Sequence, residues 1–367
     1  MLSRAAVPVI SFSLVATLFG QSPTAPSTKP TSPAPAASAT PSGTPTTQQI
    51  IDSLGEADLQ AALTALKSNY TNPDALTETE LNRATLTGLL VRTPGGLMLL
   101  PNRETASTQT AAPLYGEIFE GHIGYLRLGE LSASNLKELD KKLPEFGHTI
   151  VVALFIDLRA SSGCDFPIAA EFAKRFCLKG KALFNIRKPG ARQDRQFTSD
   201  RDPSFQGLMV LLIDNDTAGG AEAFAAAVHL YDKALVIGQS SGCRAVEYSD
   251  LPLPSGKTLR VASAEAVLPD GQSLFPGGVK PDLPVEMSIS EKRQIFRQSA
   301  DKGMAQFVYD TERPHLNEAA LIAGTNPELE IPDAQRRTRA RSEQAPRDSV
   351  VQRAIDVVTS LEVYQKH

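Results

Sequence analysis

The chain has 367 residues, 41% of them hydrophobic, with 26 prolines, no tryptophan and a formal net charge of −4. That acidic balance argues against a nucleic-acid binder, which carries a basic face. Three cysteines and five scattered histidines argue against a disulfide framework or a zinc site, and no metal or cofactor is expected.

The N-terminus, MLSRAAVPVISFSLVATLFGQS, has Arg4 as a positive flank, an apolar run from Ala5 to Phe19, and small Gly20 before Gln21. This is the anatomy of a signal peptide over 1–20, so the body is expected to be exported, either periplasmic or secreted. An uncleaved segment tethering the chain to a membrane is the alternative. Residues 21–47 hold seven prolines and a single charge, Lys29; such a segment buries little apolar area and reads as a disordered tether. A helical N-terminal region is expected over 48–100, with Leu54, Leu59, Leu63 and Leu66 at helical spacing. In a second helix of that region, Thr77 and Glu80 form a capping-box pair. The pair of helices reads as a cap on the fold.

From Gly121 onward strands and helices alternate. HIGYLRL (122–128), TIVVALFIDLR (149–159), KALFNIR (181–187), GLMVLLID (207–214) and KALVIG (233–238) read as strands. Helices are expected over 132–146, 165–178 and 220–231. Buried apolar strands separated by helices imply an α/β core with largely parallel strands, placed at 115–290. After Arg244 the text reads as a β-hairpin turning at Pro254-Ser255-Gly256, with a further turn at Pro269-Asp270-Gly271. Residues 291–367 read as a C-terminal linker and helices, the last one turning Val350, Ile355, Val358 and Leu361 inward. Arg336, Arg337, Arg339 and Arg341 stand just before it, as a solvated linker or a peripheral contact with an anionic envelope polymer or lipid.

The strand–turn–helix at 207–231 is the shape in which enzymes hold a nucleophile, because helix-start N–H groups lack intrahelical partners. The turn, however, reads Thr217-Ala218-Gly219-Gly220-Ala221-Glu222. The ordered pieces around it (GYLRL, DLRASSGC at Asp157 to Cys164, DNDTAGGAEAF, GQSSGCRAV, PSGKTLRVA, GVKPD at Gly278 to Asp282) resemble the C-terminal processing peptidases, or tail-specific proteases. The resemblance covers about 120–286. It implies a ClpP/crotonase-like α/β core, serine-peptidase ancestry with a Ser/Lys dyad, and a polypeptide partner recognised at its C-terminus. No PDZ module is expected, since too few residues separate Gly96 from Gly121.

The dyad is where the sequence departs from the family. Counting back three residues from Glu222 places Gly219 at the nucleophile position, and Arg244, 25 positions on, at that of the lysine base. Glycine cannot attack a carbonyl, and arginine does not surrender its proton in a protein. The resemblance therefore implies a non-catalytic homologue that binds polypeptide or acts as a scaffold; the alternative is an active serine endopeptidase with a displaced nucleophile. Gly163, Cys164, Gly220 and Arg244 are expected to offer backbone donors and a cation to a carboxylate. Against that stands a vestigial groove with Arg244 paired to Glu222 or Glu247. Thr217, Ser240 and Ser241 read as loop hydrogen-bonders, Cys177 as core, and Asp157 and Arg159 as structural. The family fold brings the loops of Cys164 and Cys243 together, so these two are candidates for a disulfide.

Overall fold

The computed structural model describes residues 46–71, 76–101, 112–148, 151–231, 234–308 and 346–365. The 1–20 leader, nearly all of the 21–47 tether and the arginines at 336–341 lie outside these residues. The chain divides into two compact units, 1–76 and 77–367. In the first, α1 (Thr47–Ser53) and α2 (Glu56–Asn69) are helices. Thr46 caps α1 through a reciprocal exchange with Gln49. Leu59, Leu63 and Leu66 lie on α2 and are exposed.

The second unit begins with α3 (Glu78–Arg92), whose first turn is capped by the Thr77 hydroxyl accepting from the Glu80 N–H. Two sheets follow. The larger has six strands: β2 (Tyr115–Phe119), β3 (Ile123–Arg127), β4 (Ala153–Asp157), β7 (Leu208–Ile213), β8 (Ala234–Gly238) and β11 (Leu283–Pro284). Its order is β11-β8-β7-β4-β3-β2, parallel except for the β2–β3 hairpin. That hairpin turns at Glu120 and Gly121, both at positive φ, as the tightest hairpins require. All five residues of β3 and of β4 are buried, which is why these strands read as unbroken apolar runs.

The second sheet is antiparallel. It is built on the long β10 (Thr258–Val267), flanked by β9 (Val246–Pro252), β1 (Leu97–Leu100) and β5 (Ala182–Arg187), with β6 (Arg195–Thr198) beyond β5. The β9–β10 hairpin turns where Pro254-Ser255-Gly256 placed it. β1, β2 and β6 were not legible: each has only four or five residues and lies partly open to solvent.

Alternate residues of the parallel strands feed two cores. On one face, Leu126, Leu154, Ile156 and Leu211 meet α4 (Ala133–His148), α5 (Phe166–Ala173) and α6 (Gly220–His229). On the other, Tyr125, Phe155, Val210 and Leu212 meet α7 (Ile289–Lys302) and α8 (Ser349–Gln365). Val350, Ile355 and Val358 of α8 face this core as the sequence pattern placed them, whereas Leu361, also expected inward, is exposed; Ile295 of α7 is buried as well. Among the described residues no helix is long and apolar enough to cross a membrane.

Candidate functional site

β7 ends at Ile213 and the chain turns sharply into α6. Thr217 holds the turn from inside: its hydroxyl accepts from the Asp214 N–H (3.1 Å) and donates to the Leu158 carbonyl (2.9 Å). At the apex, Gly219 has φ 64° and ψ −119°, a conformation costly for a residue with a side chain. A Cβ there would stand 2.1 Å from the Gly163 carbonyl oxygen. The apex has the strained strand-to-helix geometry in which hydrolases hold a nucleophile, and the Gly163 carbonyl occupies the space that a side chain would take.

The buried Glu222 carboxylate ties the apex to the 241–244 loop. One oxygen accepts from the Gly219 N–H (2.9 Å) and the Arg244 N–H (2.8 Å). The other accepts from the Cys243 N–H (2.8 Å) and the Ser241 hydroxyl (2.5 Å). Glu222 thereby holds together Gly219 and Arg244, the two positions that the sequence count singled out. Ser241 also accepts from the Val279 N–H (2.7 Å). The glycine-rich closing motif is pressed against it, since a Cβ on Gly278 would lie 2.6 Å from the Ser241 oxygen.

Two expectations are corrected. Gly220 does not offer a free N–H: it donates to the Gly163 carbonyl at 2.6 Å. The next two N–H groups of α6 donate to Ala218 and Gly219. Gly163, at φ 130°, presents its carbonyl to the position where backbone donors were expected. Nor is Arg244 paired with Glu222 or Glu247 through its guanidinium. The Glu222 oxygens are taken by the groups above, and Glu247 pairs with Arg195. The half-buried Arg244 folds its guanidinium back over Gly242, Nη2 standing 3.0 Å from where a Cβ on that residue would be, and it forms no ion pair among the described residues.

Cys164, Cys177 and Cys243 are all free thiols. Burial raises the Cys243 thiol, helped by the Glu222 charge and opposed by Arg244. Desolvation of the sulfur also raises Cys164, against the charges of Arg260 and Arg244. A raised pKa withholds the thiolate and removes the basis for a cysteine nucleophile here. Cys177 lies in the first core, and burial pushes it up to about 12.

A charged network that the sequence only half showed stands at the carboxyl ends of β3, β4 and β7. Arg159, fully buried, grips Asp157 (2.7 Å) and Asp348 (2.7 and 2.9 Å). Tyr125 donates to Asp157 at 2.7 Å. Burial pushes the Asp157 carboxyl up, but the Arg159 charge and these donors outweigh it and hold it below the ordinary value. Lys292 of α7, also buried, donates to the Arg159 carbonyl (2.8 Å), to Asp216 (2.7 Å) and to Asp214. Asp348 and Lys292 lie in stretches whose local patterns gave no hint of long-range pairing. A polar position facing an apolar strip was the available signal.

Residues 122–285 match the model of peptidase family S41. Over that segment the chain is similar to the C-terminal processing peptidases. It is 24% identical over 209 residues to carboxy-terminal processing protease CtpA of Bacillus subtilis, covering 57% of this chain and 42% of that protein. It is 27% identical over 186 residues to the chloroplastic carboxyl-terminal-processing peptidase 1 of Arabidopsis thaliana, covering 48% and 37%. The chain thus spans about two-fifths of the length of these relatives. A putative peptidase from Parabacteroides merdae shares the fold, with a TM-score of 0.50 and 14% identity over 66% of this chain and 85% of that one.

Proposed function

We propose that the protein is an exported, non-catalytic member of its family that binds polypeptide in the groove beside Gly219. The observation that carries this reading is the apex itself. The nucleophile position has no side chain, and the N–H beside it is occupied by the Gly163 carbonyl. No displaced nucleophile is favoured: Thr217 and Ser241 are buried in structural hydrogen bonds, and exposed Ser240 has no base partner among the described residues. Recognition falls to Arg244, whose free guanidinium suits a C-terminal carboxylate. Export rests on the pattern of residues 1–20. Contact of the arginines at 336–341 with the envelope remains part of the proposal.

The mature chain is expected neither to degrade casein nor to react with a fluorophosphonate; labelling at Thr217, Ser240 or Ser241 would overturn the reading. Gly219→Ser alone is expected to stay inactive, because its Cβ meets the Gly163 carbonyl and Arg244 cannot accept a proton. Peptides with a free C-terminus are expected to bind about fivefold more tightly than their amides, or ~1 kcal/mol. Arg244→Ala should erase that difference.

A further inference from the structure

A cavity of about 560 Å³ opens at the carboxyl ends of β3 and β4, walled by the start of β2 and by α7. Ligands of open α/β sheets bind at this edge. The wall is apolar over Leu114, Tyr115, Phe296 and Ala300, yet five cations reach it: Arg127, Arg159, Lys292, Arg293 and Arg297. Asp216 is the one carboxylate among the residues lining it.

These cations differ in how they are satisfied. Arg159 is held by Asp157 and Asp348, and Lys292 by Asp214 and Asp216. Arg127 has no carboxylate partner among the described residues. It is only 8% exposed. Its guanidinium carbon lies 4.9 Å from the centroid of the Tyr115 ring and 4.3 Å from that of Phe296. One nitrogen, Nη1, donates to the Ser299 hydroxyl at 3.1 Å. A buried charge is ordinarily paired, and a guanidinium carries five donors. The remaining Arg127 N–H groups have no acceptor among the described residues, and they are not among the sealed, partnerless polar atoms; they therefore reach the cavity. Arg293 and Arg297, exposed and one helical turn apart on α7, form no ion pair among the described residues and complete the cationic side.

We propose that this cavity binds an organic carboxylate carried on an apolar body. The carboxylate would accept from Arg127 with Arg293 and Arg297 around it, and the apolar body would lie against Phe296, Tyr115 and Leu114. The aromatic rings on Arg127 fix its plane, which suits the flat, two-oxygen geometry of a carboxylate. The site is independent of the groove beside Gly219, so neither reading depends on the other. Two sources offer this chemistry: a fatty acid, and a short peptide ending in an apolar residue.

Calorimetric titration of the mature chain with decanoate and decanol, and with N-acetyl-leucyl-phenylalanine and its amide, tests the proposal. At least one acid is expected to bind about tenfold or more tightly than its neutral counterpart, ~1.4 kcal/mol; the acid that does so identifies the source. Arg127→Gln should abolish the difference. The Arg293→Ala, Arg297→Ala double variant, altered only on an exposed helix face, should weaken binding of that acid at least threefold, and it decides the matter if Arg127→Gln does not fold. Equal binding of both acids and their neutral counterparts overturns the proposal. So does an unchanged affinity in the folded Arg127 variant, or in the double variant.

Discussion

Arg159 and Arg244 stand at the ends of neighbouring structural motifs and have opposite surroundings. Arg159 is fully buried and spends its donors on two carboxylates. Arg244 is half-buried, and among the described residues only its backbone is hydrogen-bonded, the N–H to Glu222 and the carbonyl to the Val246 N–H. The corner around Arg159 joins β4 to α8 and cannot lose a member without stranding a buried charge. The corner around Arg244 is held by the backbone N–H groups of Gly219, Cys243 and Arg244 and the Ser241 hydroxyl converging on Glu222, with no contribution from a side chain at position 219 or 244. The first corner depends on saturated charge, whereas the second closes without any side chain at positions 219 and 244.

The sharpest way to break this contrast is to remove Arg159. Arg159→Met should cost about 3–5 kcal/mol, since Asp157 and Asp348 would remain buried without their counter-charge, whereas Arg244→Met should fall within about 0.5 kcal/mol. Urea denaturation of the two variants measures both, and equal losses would remove the distinction. Glu222→Gln comes next. It replaces an acceptor oxygen with an amide donor facing two of the four groups now bound, at about 2–3 kcal/mol.

Acid sharpens the same comparison. The Asp157 carboxyl is held below its ordinary value of 3.8, so its contribution is complete above about pH 4 and is lost as the pH falls through the lower folded value. The urea midpoint should therefore decline below pH ~4, and a flat profile from pH 5 to 2.5 would contradict the assignment. A smaller effect is expected at Gly163. A Cβ there meets nothing within 4 Å, but φ 130° strains it. Gly163→Ala should disfavour the carbonyl-in state by about 1–2 kcal/mol, seen as faster amide exchange at Gly220. Thiol labelling at pH 8 should follow Cys164, then Cys243, with Cys177 silent.

The parallel strands, the hairpin turn and the meeting of Gly219 with Arg244 were legible because each rests on a local pattern or on fixed spacing. The closed state of the apex was not. Free helix-start N–H groups are the rule for an isolated helix, but here Gly163, 57 positions before Gly220, supplies the acceptor, and the sequence does not reveal which way a glycine peptide faces. Asp348 was hidden for a related reason. Its role depends on Arg159, far away in the chain, and the apolar periodicity of α8 says nothing about the residue that caps it.

That distance also has a consequence for biosynthesis. Arg159 and Asp348 are 189 positions apart, and α8 completes the second core. While the chain emerges from the ribosome, the first core has all its elements long before the second. The nascent sheet must wait with Phe155, Val210 and Leu212 uncovered and Arg159 holding one carboxylate of its eventual two. Long-range closure of this kind is slow, and an exposed apolar sheet face is prone to aggregate in the interval. If the chain is exported as proposed, that interval favours a factor that holds the polypeptide unfolded until its last helix has been made.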